Sequence, residues 1–207
     1  MSIAREGWLY VVVLLAAGGL VSLRYPWPGG VLLVLGLFTL FFFRDPERAI
    51  PTDPRLVLSP ADGKVVQILP LPDDGPLGKG ATQISIFLSI FDVHVNRAPI
   101  AGRVAELQYH KGEFLPAFDD KASLRNEQNT VTIDGGTLRV VFKQIAGLIA
   151  RRIVFRKKLD DRVDRGERVG LIKFGSRVDV FLPKEVQVKV HLGDRVQGGS
   201  SVLGELP

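Results

Sequence analysis

Two apolar runs close together at the N-terminus leave this chain few ways to fold. From Gly7 to Leu23 no residue is charged, and Val, Leu and Ala predominate. Arg24 and the breaker-rich stretch Tyr25-Pro26-Trp27-Pro28-Gly29-Gly30 follow, and Val31 to Phe43 is apolar again. As helices the runs would reach roughly 25 Å and roughly 20 Å, each slightly short of a hydrocarbon core of about 30 Å. Trp8, Tyr10, Tyr25 and Trp27 flank them, and such amphipathic rings settle at headgroup level. The expectation is a helical hairpin over residues 1–43 that enters the cell membrane and returns, as two short spans or as a re-entrant wedge. Arg5 before it, with Arg44 and Arg48 after it, outnumbers Arg24 in the turn, which puts both ends on the cytoplasmic side. A cleaved signal peptide would explain Arg5, the first run and Ala16-Ala17-Gly18-Gly19, yet it leaves the second run without a membrane. A buried soluble hairpin with no polar face would have to be enclosed by a domain of only about 160 residues.

At Arg44-Asp45-Pro46-Glu47-Arg48 the composition turns abruptly charged, and residues 44–207 read as one further domain. Of the 207 residues 46% are hydrophobic and 24% charged, which is too apolar for a disordered tail. The absence of cysteine excludes a disulfide scaffold, a thiolate zinc site and a cysteine nucleophile. Three histidines, His94, His110 and His191, leave little material for a metal site, and none is expected. A net charge of +5 points to an anionic partner; with the hairpin present, that is a membrane surface and not nucleic acid.

Short β-type runs fill the second domain: 64–68, 83–90, 130–133, 138–142, 178–182 and 186–190. Asp62-Gly63, Asp134-Gly135-Gly136 and Gly193-Asp194 mark tight turns between them. The pattern of 144–159 is open between strand and helix. The expected fold class is a β-rich α+β soluble domain with an N-terminal hydrophobic helical hairpin. Ser59-Pro-Ala-Asp-Gly-Lys-Val and the segment 190–204 are alike in a way seen in biotinyl and lipoyl carriers, but Lys64 lacks a carrier lysine's setting.

Four spots contain side chains able to do chemistry. Asp62 stands at a turn before a strand, where most aspartates only cap backbone. His94, in Phe91-Asp-Val-His-Val-Asn-Arg97, has the near-neutral pKa range a proton shuttle needs, although a lone histidine is more often structural. The third spot runs from His110 through Phe114 to Phe118 and on to Asn126-Glu-Gln-Asn129, a polar and aromatic loop suited to ligand contact. The fourth runs from Gly166 to Phe181 and contains Ser176, which lacks the Gly-x-Ser-x-Gly elbow of hydrolases.

Taken in order, Phe-Arg-Asp-Pro-Glu-Arg, Ser-Pro-Ala-Asp-Gly-Lys-Val, Phe-Asp-Val-His-Val-Asn-Arg-Ala-Pro, Asn-Glu-Gln-Asn, Gln-Ile-Ala-Gly-Leu-Ile-Ala-Arg-Arg and Gly-Leu-Ile-Lys-Phe-Gly-Ser make a specific set. From about Arg44 to the C-terminus the chain resembles the short, membrane-anchored phosphatidylserine decarboxylases. The resemblance implies a lyase whose proenzyme cuts itself between Gly175 and Ser176, giving a β chain 1–175 and an α chain 176–207. Ser176 would become the covalent pyruvoyl cofactor, which decarboxylates phosphatidylserine to phosphatidylethanolamine through a Schiff base. Asp62 matches the family aspartate that supports the base. His94 matches the first position of the long members' His-x-x-His-x-Pro pattern, while Arg97 stands at the second. Long members carry Leu-Gly-Ser-Thr where this chain has Phe174-Gly175-Ser176-Arg177. His94 is the expected proton donor after CO₂ leaves, and His110, Phe114 and Asn129 are the expected substrate contacts.

The partners this implies are the phospholipid, the membrane and the chain's own two products, with a homodimer open. An ether lipid with the same serine headgroup would satisfy the same motifs. A membrane-anchored β-sandwich adaptor without chemistry is the rival from another class.

Overall fold

The computed structural model describes residues 2–71, 75–113, 125–147, 152–173 and 175–207. Phe114 and Phe174 lie outside these described residues. The helices are α1 (Trp8–Ser22), entered through a 3₁₀ turn at Arg5–Gly7, and α2 (Pro26–Phe42). In chain order the first eight strands are β1 (Ser2–Ile3), β2 (Arg44–Asp45), β3 (Leu56–Leu58), β4 (Gly63–Leu71), β5 (Ala81–Leu88), β6 (Val95–Arg97), β7 (Gly102–His110) and β8 (Gln128–Asp134). The rest are β9 (Arg139–Ala146), β10 (Ile153–Phe155), β11 (Arg162–Val163), β12 (Arg168–Ile172), β13 (Ser176–Leu182), β14 (Gln187–Val188), β15 (Arg195–Val196) and β16 (Val202–Glu205). The chain divides into two compact units, Met1–Glu47 and Arg48–Pro207.

In the first unit α1 and α2 form the hairpin. The second helix begins earlier than its apolar run, because Pro26 and Pro28 occupy the first turn, where a missing N–H costs no intrahelical bond. Small residues let the two helices approach closely: a Cβ on Gly18 would press on Leu33, and one on Gly36 would collide with Leu15. Ser22 and Thr39 return their hydroxyls to the carbonyls of Gly18 and Leu35, so neither needs water. Leu9, Leu20, Trp27 and Val34 stand exposed on the outside. The segment Arg5–Ser22 is long and apolar enough to cross a membrane, while Pro26–Phe42 is a shorter apolar helix. The pairing of Arg44–Asp45 with Ser2–Ile3 places these charged linker residues in the hairpin unit.

The second unit is built on an eight-stranded antiparallel sheet in the order β11-β7-β8-β9-β13-β5-β4-β15, with two three-stranded sheets, β10-β12-β6 and β14-β16-β3. Strand alternation turns Val178, Val180 and Leu182 of β13 to the interior, with Ile84, Ile86 and Leu88 of β5 and Val140, Phe142 and Ala146 of β9. The small sheets add Val57, Val169, Ile172 and Leu203 to the same core. The segment left open between strand and helix divides into the end of β9 and the whole of β10 within the described residues.

The register decides where chemistry can happen. Strands β4, β8 and β13 begin at the same end of the large sheet at which β5, β7, β9 and β15 finish, because every neighbouring pair is antiparallel. Asp62, His94, His110, Asn129 and Ser176 are therefore all delivered to one end of the sheet.

Candidate active site

Ser176 is the first residue of β13 and lies between Leu88 of β5 and Ala146 of β9. It shares the interior face with Val178 and Val180, and its exposure is 0%. Its Oγ is buried with no hydrogen-bond partner among the described residues. A buried hydroxyl left unpaired costs about 1–3 kcal/mol. Such a group is a candidate for function, because a purely structural interior would favour alanine there. Gly175, just before it, has φ +67, a left-handed conformation that glycine adopts without the roughly 1–2 kcal/mol penalty of other residues.

The small sheet brings His94 to this point. Val95 of β6 pairs with Leu171 of β12, and the N–H of Ile172 donates to the carbonyl of His94 at 3.3 Å. The chain then turns toward β13, and the N–H of Gly175 donates to His94 Nε2 at 3.2 Å. On the other side of the ring Nδ1 lies 2.9 Å from the carbonyl oxygen of Asp92, which can only accept. Nδ1 therefore carries the proton, and Nε2 turns its lone pair to the Gly175 N–H, one peptide unit before the Gly175-Ser176 bond. Asp92 is itself fixed: its Oδ2 accepts from the Ser89 N–H and hydroxyl, and its Oδ1 from Arg195. His94 is 2% exposed, so its ring is shielded from bulk water.

Asp62 precedes β4, which is separated from β13 by β5 alone, a backbone distance of about 10 Å at ordinary strand spacing. Both of its oxygens are engaged: Oδ2 accepts from Arg48 at 2.6 Å and Oδ1 from the N–H of Gly198 at 2.8 Å. Its hydrogen bonds thus go to Arg48 and Gly198, not to His94. Burial pushes its carboxyl above the ordinary carboxylate value, against the pull of the Gly198 N–H and of Arg48, and nearby Asp92 pushes the same way.

The other expected contacts fall differently. His110 is the exposed last residue of β7 and pairs with Gln128, three strands away from β13. Asn129 is buried at 3% exposure and donates its amide to Gln144 at 2.9 Å. Gln144 in turn donates to Asn96 at 2.8 Å, and the Asn96 amide reaches the Pro60 carbonyl at 3.5 Å. This chain of buried amides ties β8, β9 and β6 to the Ser59–Asp62 loop. Composition alone does not show it, because amides are ordinary surface residues until their register turns them inward.

Arg97 stands at the second histidine position, yet its guanidinium donates to the carbonyl of Gly166 at 3.0 Å and packs against Gly199. Arg177 points to the opposite face from Ser176. There it forms a buried ion pair with Asp179 at 2.6 Å and donates to Gln67 at 2.9 Å and Ser85 at 2.7 Å. That network pins the first residues of β13 from behind. Among the described residues no group of three or more His, Cys, Asp or Glu side chains is placed to hold a metal ion.

This arrangement holds a strand-initial serine hydroxyl, a left-handed glycine and an imidazole lone pair together inside a shielded sheet end. Comparison with known proteins gives the same region a family. A family model described as phosphatidylserine decarboxylase matches residues 35–204. The chain is 50% identical over 204 residues to a phosphatidylserine decarboxylase proenzyme of Solibacter usitatus, covering 98% of this chain and 96% of the relative. It is 48% identical over 207 residues to the proenzyme of the same name from Symbiobacterium thermophilum, covering 99% and 96%. A third such proenzyme, from Carboxydothermus hydrogenoformans, is 47% identical over 206 residues, covering 98% and 95%.

Proposed function

The chain belongs to the phosphatidylserine decarboxylase family, and from that premise we propose that it cuts itself before Ser176 and then decarboxylates the serine headgroup of phosphatidylserine. The observation that carries the reading is the buried Ser176 hydroxyl, unpartnered among the described residues, beside the Gly175 N–H that His94 already touches.

The residues fit a self-derived pyruvoyl group, since the hydroxyl to be consumed has no structural partner among the described residues. For cleavage, His94 Nε2 exchanges the Gly175 N–H for the Ser176 hydroxyl, a shift of one peptide unit, and accepts its proton. Oγ attacks the Gly175 carbonyl carbon; the C–N bond breaks as the ester bond forms, and the proton passes to the freed Ser176 nitrogen. β-Elimination removes the Ser176 Cα proton and breaks the ester, releasing the carboxylate of the 1–175 chain. Water then adds to the dehydroalanine and ammonia leaves, so that the 176–207 chain begins with a ketone. Asp62 supports the base electrostatically as a carboxylate at the same sheet end.

A pyruvoyl group supplies an electrophilic ketone for the substrate amine and a sink for the electrons left when CO₂ departs. His94 Nε2, after accepting the proton that the substrate ammonium loses, is the atom we assign to return a proton to the headgroup carbon. The buried walls around His94 and Ser176 exclude water from that step. The apolar hairpin keeps the enzyme at the bilayer, where the acyl chains stay while the headgroup is processed, and the +5 charge favours an anionic lipid surface. We place the catalytic unit on the cytoplasmic side of the cell membrane, from the arginine asymmetry around the hairpin.

An intact-mass spectrum of the purified, active protein tests this. Two chains are expected, with the 176–207 fragment blocked at its N-terminus. Ser176→Ala should stay at the full 22.7 kDa and be inactive. A single full-length mass from active enzyme would overturn the reading, and the adaptor alternative predicts that result. Vesicles of diacyl or ether-linked serine lipid separate the two substrates.

A further inference from the structure

Arg48 lies in the charged segment that follows the hairpin and has no place in the mechanism above. Its side chain is 11% exposed and that of Asp62 14%, so this is a largely buried ion pair and not a surface contact. The guanidinium uses both ends: Nη2 donates to Asp62 Oδ2 at 2.6 Å and Nη1 to Gln197 Oε1 at 2.9 Å. The neighbouring Gly198 N–H holds the other oxygen of Asp62, and the Gln197 N–H is tied to Ser201 Oγ at 2.8 Å. Asp62 is therefore clamped between Arg48 and the turn after β15, with its orientation set by four groups from two distant parts of the chain. A buried carboxylate without a cation takes up a proton instead of remaining charged.

Resting on the reading that Asp62 supports His94 in activating Ser176, we propose that Arg48 is a positioning residue for self-cleavage, keeping Asp62 ionised and fixed at the sheet end. The residue just beyond the hairpin then has a second task besides joining the two units. The charged and titratable groups around Asp62 are Arg48 from the linker, Asp92 from the loop after β5 with its partner Arg195 from β15, and His94 beyond Asp92. Arg48 is the cation bonded to Asp62 itself, whereas Arg195 is bonded to Asp92.

The test is the pH profile of self-cleavage in the full chain, pulse-synthesised and diluted into buffers from pH 6 to 9, read as the appearance of the 176–207 fragment. Arg48→Gln should slow cleavage about tenfold at pH 6, with the deficit shrinking as the pH rises and Asp62 ionises unaided; while the pH lies below the pKa, each further unit of upward shift is a factor of ten in ionised fraction. Arg48→Lys retains the charge and should cleave within about threefold of the parent throughout, since a point cation still opposes protonation. Asp62→Asn should remain uncut at every pH. Cleavage of Arg48→Gln at the parental rate, faster than the parent, or slower by one constant factor across the range overturns the proposal, the last because a merely structural contact has no pH dependence. If Asp62→Asn cleaves normally, the reading of Asp62 fails and this proposal with it. If Asp62→Asn stays uncut while Arg48→Gln behaves as the parent, only the proposal fails.

Discussion

The Nε2 of His94 lies 3.2 Å from the backbone nitrogen of Gly175 and accepts its hydrogen, so the imidazole rests on the peptide unit next to the bond proposed to break. The other ring nitrogen is tied to the Asp92 carbonyl, which fixes the tautomer with its lone pair toward Gly175 and Ser176. The contact joins residues 81 positions apart, through the pairing of β6 with β12. It gives His94 a geometric reason to act in cleavage as well as in decarboxylation.

His94→Ala should therefore leave mostly uncut chain. Losing a positioned base costs typically 10²–10⁴-fold, or roughly 3–5 kcal/mol of barrier. A gel of the purified variant reads the ratio of full-length to cut protein, and a lipid turnover assay reads the second role. Normal cleavage with lost turnover would confine His94 to decarboxylation, and normal behaviour in both assays would remove it from the mechanism.

Gly175→Ala tests the left-handed glycine. A methyl group there meets no neighbour among the described residues beyond the adjoining ones, but φ +67 is a left-handed value that alanine adopts only at a cost of roughly 1–2 kcal/mol. The variant should fold and cleave about tenfold more slowly as the peptide relaxes away from His94. Cleavage at the parental rate in a time course would show that the glycine conformation has no part in the reaction.

Asp62 also leaves a signature in stability. Its folded pKa is raised above 3.8 by burial, so the folded chain holds that proton more tightly than the unfolded chain. Its contribution is fully present below the unfolded value and is lost as the pH rises through the folded value. In a Ser176→Ala background, which keeps both proteins uncut, the parent should lose stability relative to Asp62→Asn over that window. Urea unfolding at a series of pH values reads the difference, and a gap that widens in the parent's favour with rising pH would contradict the shift.

Removing residues 1–43 should give a more soluble protein that still cuts itself, since Ser176, His94, Asp62 and Arg48 all remain. Turnover of phosphatidylserine in liposomes should fall well below that of the full chain, because the truncated enzyme spends less time at the bilayer. Equal turnover by the two forms would end the access role of the hairpin.

How much of this was legible before folding varies with the range of the interaction involved. The hairpin helices were readable because long uncharged runs have few other fates, although the start of the second at Pro26 depended on which N–H groups a helix leaves unpaired. Strands such as β13 and β8 showed through their local alternation and the turns between them. Gly175 and Ser176 were singled out by motif resemblance, with no signal in their own spacing. What these residues touch is another matter. That Nε2 of His94 meets Gly175, that Asp62 pairs with Arg48, that Arg97 turns to Gly166, and that Asn129, Gln144 and Asn96 form one buried chain were all decided by the tertiary structure. Periodicity is written into neighbouring residues and survives in the bare sequence. Side-chain partnership depends on strand register and on which face each residue takes, and those are set only when segments far apart in the chain pack around a common core.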